Sequence, residues 1–226
     1  MGKTSEELLK ELEEMGEEHI MTSIATPLRD DAFDISDEEK IELIRGYFEK
    51  IMFTLGLDLS DDSLKGTPKR VAKLFVNDLF KGLNEKNKPS LSTFENKYDY
   101  KQMLVEKNIT LYSNCEHHFL PIVGKAHVAY IPNGRVIGLS KINRIVDYYS
   151  RRPQVQERLA LQILDEMKKA LDTEDVAVYI DAEHMCVSSR GASDQSSSTV
   201  TVEYSGKFQE EQTKNEFLTY INDSLK

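Results

Sequence analysis

The sequence predicts an α+β protein: an antiparallel sheet with helices packed on one face, preceded by an N-terminal helical region. Three observations point there. Apolar residues recur at helical spacing through the N-terminal third, the period changes to two from about residue 109, and two further helix-period segments lie between strand candidates.

In chain order, Thr4-x-x-Glu7 is a capping-box pattern followed by Leu8, Leu9, Leu12 and Met15 on one face, a short amphipathic helix. The irregular stretch from Thr22 to Phe33 makes it an arm. Ser36-x-x-Glu39 opens a second helix with the stripe Ile41, Ile44, Phe48, Ile51 and Leu55, stopped by Gly56. Thr67-Pro68 supplies a capping hydroxyl and a first-turn proline for a third, which carries Val71, Leu74, Phe75 and Leu79 to Gly82. Ile109 and Leu111 begin the strands, and "KAHVAYI" from Lys125, the turn Pro132-Asn133-Gly134 and "RVIGL" read as a hairpin. Ser140 precedes Ile142, Ile145, Val146 and Tyr149 at helical spacing, and after Pro153 a longer helix shows Val155, Leu159, Ile163, Leu164, Met167 and Leu171. "DVAVYIDA" from Asp175, "HMCVS" from His184 and "STVTVEY" from Ser198 are strand candidates, and a last helix carries Phe217, Ile221 and Leu225. The division expected is an acidic arm over 1–35, a helical region over 36–100 and a sheet-bearing catalytic domain over 101–226.

A chain of 226 residues is long enough for a buried core. Two cysteines are too few for a disulfide framework, no segment has the pattern of a signal peptide, and no apolar run reaches the ~20 residues of a membrane span. A soluble, cytoplasmic protein with no membrane or nucleic-acid partner is expected. Of the net charge of -10, residues 1–40 contribute thirteen acids against four bases, so the body is close to neutral. Within it, Arg135, Lys141, Arg144, Arg151, Arg152 and Arg158 stand against Asp147 and Glu157, a surplus that either meets phosphate or forms a solvated basic helix face.

The chemistry concentrates in Cys115-Glu116-His117-His118. Cys115-x-x-His118 lets a thiolate and an imidazole reach one zinc ion from a tight turn, which leaves His117 pointing elsewhere. In His184-Met185-Cys186, period two puts His184 and Cys186 on the same face of a strand. Cys115, His118 and Cys186 are then three ligands with a position open for water, the pattern of a catalytic zinc rather than a closed structural one. The surplus histidines are what acid–base chemistry on bound water requires. The alternatives are ordinary buried thiols with hydrogen-bonded histidines, or a reversible disulfide between the two cysteines. No HExxH, deaminase HxE with PCxxC, paired CxxC or P-loop occurs, so any nucleotide phosphates must meet side chains.

"DDSLKGTPKRVAKLF", "SNCEHHFLPIVGKAHVAYIP", "VIGLSKINRIV", "RRPQVQERLALQIL" and "DAEHMCVSSRG", in this order, closely resemble GTP cyclohydrolase I from about Asp58 to the C-terminus. The resemblance implies a tunnelling fold (T-fold), a homodecamer of two stacked pentamers with sites at subunit interfaces, and conversion of GTP to 7,8-dihydroneopterin triphosphate and formate. It implies Zn2+ on Cys115, His118 and Cys186, with His117 and His184 as the catalytic histidines. It also implies guanine recognition by Glu157 beside Gln156, and triphosphate binding by Ser140, Lys141, Arg144 and Arg190, with Arg70 and Lys73 from another subunit. The competing readings are a T-fold relative acting on another purine or pterin, which is expected to lose the CEHH or the HxC segment, and a non-catalytic zinc-stabilised scaffold.

Overall fold

A computed structural model describes residues 23–189, 194 and 196–222. In chain order it holds α1 (Asp37–Thr54), α2 (Thr67–Leu74), β1 (Thr93–Glu95), β2 (Leu104–Cys115), β3 (Pro121–Tyr130), β4 (Arg135–Ile137), α3 (Leu139–Ser150), β5 (Pro153–Gln154), α4 (Gln156–Leu171), β6 (Val176–His184), α5 (Met185–Ser188), β7 (Thr199–Tyr204) and α6 (Glu211–Asn222). The expected helix over Thr4–Met15, and Leu225, lie outside the described residues.

The capping box at α1 forms as expected: Glu39 N–H donates to Ser36 Oγ and Ser36 N–H to the Glu39 carboxylate, 3.2 and 2.9 Å. Gly56, at φ +81°, ends the segment in the left-handed region. Thr67, in contrast, caps nothing. It is the first helical residue after Gly66, and its hydroxyl accepts from the Arg70 guanidinium at 3.1 Å.

The main sheet has the order β5-β2-β3-β6-β7. Four of its strands are antiparallel, but β5 joins β2 in parallel through Asn114 opposite Pro153 and Cys115 opposite Gln154, so the sheet is mixed rather than purely antiparallel. The expected hairpin from "KAHVAYI" into "RVIGL" is replaced by another pairing: β4 pairs with β1 in a separate two-stranded sheet. Both edges of β3 are taken, by the twelve residues of β2 and by β6, whose register runs unbroken from Ile122 opposite His184 to Tyr130 opposite Val176. A three-residue strand cannot compete with ladders of that length. Close approach of β3 and β6 also requires Gly124, where a Cβ would lie 2.1 Å from the Asp181 carbonyl oxygen.

One face of the sheet carries the main core. Ala126, Val128 and Tyr130 of β3 and Val178 and Ile180 of β6 pack with Ile142 and Ile145 of α3 and Leu159, Ile163 and Met167 of α4. Each large aliphatic buried there contributes about 1.5–3 kcal/mol. Helices are not confined to that face. The strand period exposes Ala129 and Ala177 on the other side, where they pack against Phe208 and against Phe217 and Ile221 of α6.

The β2–β3 register shifts between Glu106 and Ile109, with Asn108 at φ +60° in the bulge. Its N–H donates to Nδ1 of buried His127, 3.5 Å away, and the His127 ring stands edge-on to Tyr179. Burial lowers the His127 pKa, Lys107 adds to the effect, and Asp181 opposes it. A histidine whose folded pKa lies below its unfolded value makes the unfolded state bind more protons, so stability is full above about 6.5 and is lost as pH falls through the folded value. We expect the denaturant midpoint to fall between pH 7 and pH 5, and His127→Gln to flatten that part of the slope.

Candidate active site

β2 ends at Cys115 and the chain reverses into β3 over Glu116–Leu120. Phe119 N–H donates to the Cys115 carbonyl and Cys115 N–H to the Leu120 carbonyl, each at 2.8 Å, with Phe119 at φ +54°. The Asn114 side-chain amide donates to the Phe119 carbonyl at 3.1 Å, and Glu116 N–H donates to the Gln154 carbonyl of β5 at 3.0 Å. The reversal is therefore fixed from inside the turn and from the neighbouring strand.

The pairing of Ile122 with His184 delivers the end of β6 to this turn. Cys186 does not share a strand face with His184, as period two predicts, because β6 stops at His184 and Met185–Ser188 form a single helical turn. The ligand set converges nonetheless. Donor atoms of buried Cys115, exposed His118 and half-buried Cys186 all lie within 4.8 Å of one another. The two cysteines form no disulfide. Two thiolates and an imidazole are the donors a borderline-soft ion such as zinc takes, and three of them leave a coordination position open.

Two further histidines, His117 and His184, stand beside this cluster. His117 Nδ1 is 3.4 Å from Cys115 Sγ, and its ring is turned 80° from that of His118. His184 Nε2 lies 2.8 Å from Gln156 Oε1. The buried Gln156 amide nitrogen is committed to the carbonyls of Thr199 and Ile180 and to Thr201 Oγ1, at 2.8, 3.3 and 3.1 Å. Its oxygen therefore accepts, which fixes the proton of neutral His184 on Nε2 and leaves Nδ1 for other work. Burial lowers the His184 pKa against an opposing pull from Glu157.

Cys115, Cys186, His117, His184, Gln156 and Glu157 share one cavity of about 450 Å³. Glu157 is exposed there, whereas Gln156 is buried and fully engaged. The cations expected to bind phosphate are elsewhere on the surface. Ser140 and Arg144 are exposed on the first turns of α3, with Lys141 half-buried between them, and Arg70 and Lys73 are exposed on α2; none lines this cavity. Arg190 lies outside the described residues.

Much of the basic surplus over 135–158 is spent on structure. Arg151 pairs with Asp147 at 2.9 Å, Arg152 stacks on Tyr148 and Tyr149, and buried Arg158 pairs with Glu116. The Glu116–Arg158 pair had no signal in the sequence, since the two residues are 42 positions apart.

The family model described as GTP cyclohydrolase I matches residues 44–222. The chain belongs to the GTP cyclohydrolase I family. It is similar to GTP cyclohydrolase 1 of Flavobacterium johnsoniae, 64% identical over 93% of this chain and 94% of the relative. Its likeness to GTP cyclohydrolase 1 of an Enterobacter species is 48% identity over 95% and 97%. The same figures describe its match to GTP cyclohydrolase 1 of Escherichia coli O1:K1. A crystal structure of an archaeosine synthase QueF-Like in the apo form overlaps 46% of this chain and 93% of its own, at 23% identity and a TM-score of 0.39, too weak a likeness to bear on the fold.

Gln156 is the hydrogen-bonded link between α4, β6 and β7. Replacing it with Leu strands His184 Nε2–H and the Thr199 carbonyl, and the expected loss is about 1–3 kcal/mol of unfolding free energy, read from the denaturant midpoint.

Proposed function

We propose that this chain converts GTP and water to 7,8-dihydroneopterin triphosphate and formate, the first step towards folate and tetrahydropterins. The observation that carries the reading is the convergence of Cys115, His118 and Cys186 beside a cavity that the two cysteines share with His117, His184 and the exposed Glu157 carboxylate. The donor set fits zinc, which these three residues would hold. Zinc held there would supply Lewis acidity that lowers the pKa of a coordinated water to about 7.

The reaction opens the purine imidazole ring at C8, releases that carbon as formate and recloses the ring with ribose carbons. The exposed Glu157 carboxylate takes the guanine N1–H and exocyclic amine as a bidentate acceptor and so orients C8. His184, its Nε2–H held by Gln156, uses Nδ1 to handle the proton at the purine nitrogen. His117 assists ring opening and the later proton shuttling. The division of these transfers between the two histidines is part of the proposal.

Binding of the triphosphate completes the picture. Ser140, Lys141, Arg144 and Arg190 form one set of contacts, and Arg70 and Lys73 come from another subunit. Three or more cations match three phosphates. This reading includes the T-fold, the division at 1–35, 36–100 and 101–226, the cytoplasmic location and the homodecamer of two pentamers. Two features support assembly. The C-terminal end of the α1 stripe is left uncovered, with Ile51 50% and Leu55 72% exposed, and Lys141, Arg144, Arg70 and Lys73 do not line the cavity of their own chain.

GTP incubated with the purified protein should yield formate together with a product that becomes fluorescent as a pterin after oxidation, and a chelator should abolish both. Cys186→Ser should lose bound zinc, measured by atomic emission, and with it turnover. His184→Ala should keep zinc and lose turnover by about 100-fold or more. Loss of zinc in the His184 variant would make that residue a ligand and refute the assignment. A solution mass of a single chain would refute the decamer.

A further inference from the structure

Glu116 is the member of the Cys115–His118 run that neither the metal donors nor the proposed proton transfers use. Its carboxylate is gripped by Arg158 of α4, through Nη1 to Oε2 and through Nη2 to Oε1 at 3.4 Å. The Arg158 side chain is 4% exposed. A guanidinium withdrawn from water to that degree requires an anion in contact, and a two-pronged grip fixes the anion's orientation as well as its position. Arg158 is itself seated from behind, since its Nε donates to the Ser23 carbonyl at 3.1 Å.

On its other side the same carboxylate faces His117. Oε1 of Glu116 lies 3.7 Å from His117 Nε2, while His117 Nδ1 lies 3.4 Å from Cys115 Sγ. The ring is exposed on the turn, with these two groups flanking it. The backbone of Glu116 is tied independently, by its N–H to Gln154. Loss of the side-chain charge therefore leaves that tie of the turn in place and removes one of the groups that flank the ring.

From this geometry we propose that Glu116, clamped by Arg158, is a positioning residue that holds His117 in its working orientation. The inference rests on the reading that His117 acts on GTP. The contact runs from the Ser23 carbonyl, through Arg158 of α4, to the turn beside the metal donors.

The test compares full-length wild type, Glu116→Gln and Arg158→Lys by steady-state kinetics on GTP and by bound zinc per chain, well below the melting temperature. Wild type that forms no pterin sinks the functional reading itself. With active wild type, Glu116→Gln should lower kcat at least tenfold, with KM for GTP within about threefold and zinc content unchanged. Arg158→Lys keeps the charge without the fork, so it should show the same pattern with a smaller kcat loss. A kcat at the wild-type level in Glu116→Gln overturns the proposal. So does a kcat loss matched by an equal loss of zinc, or one carried by KM, because the pair then only braces the turn or the substrate pocket. Should Glu116→Gln fail to fold, Arg158→Lys decides by the same criteria.

Discussion

The antiparallel pairing of β3 with β6 is the constraint on which the site depends. Cys115 ends β2 and His118 lies in the turn that feeds β3, while His184 ends β6 and Cys186 sits in the helical turn just after it, almost seventy residues later. An unbroken ladder from Tyr130 opposite Val176 to Ile122 opposite His184 fixes where β6 stops relative to that turn. Because side chains alternate between faces, a slip of one residue would turn His184 away from Gln156 and carry Cys186 out of the donor cluster. Gly124 protects the register by admitting the β6 backbone where any side chain would collide.

A second support comes from the start of α4. Three consecutive residues there do three different things. Gln156 is buried and sets the tautomer of His184, Glu157 is exposed into the cavity, and Arg158 is buried against Glu116. Their side chains diverge by about 100° per position, as a helix requires, so one turn reaches β6, the cavity and the Cys115–Leu120 reversal at once. The short strand before the helix contributes as well: β5 lies parallel to the end of β2, and the Gln154 carbonyl holds the Glu116 N–H. Neither the helix nor the short strand performs chemistry by itself; together they decide the orientation of the groups that do.

Legibility varied with the range of the interaction concerned. The Ser36–Glu39 capping box and the Gly56 stop were readable because their partners lie within a few residues. The apolar stripe Leu159, Ile163 and Met167 was readable because helical spacing is local. The proposed hairpin into "RVIGL" was not, since a strand's period says nothing of its partner, and β6 outcompeted the nearer segment for the edge of β3. The "HMCVS" segment misled for a related reason: three alternating residues fit the end of a strand and a helical turn equally well. The α6 helix went to the opposite face because Ala129 and Ala177 offer an apolar patch there that only the assembled strands create.

By itself, the sequence determined the chemistry available: one thiol and a pair of adjacent imidazoles in one short run, a third imidazole and the second thiol in another, and the motif order shared with the GTP cyclohydrolase I family. It also determined most of the helices, whose hydrogen bonds close within four residues. Only the tertiary structure decided that Cys186 meets Cys115 and His118 from a helical turn, that Gln156 is a buried hydrogen-bond hub, and that Arg158 is matched to Glu116 rather than left for phosphate. The physical reason is that each of these depends on strand register and burial, which are properties of pairs of segments distant in the chain, and no local pattern encodes them.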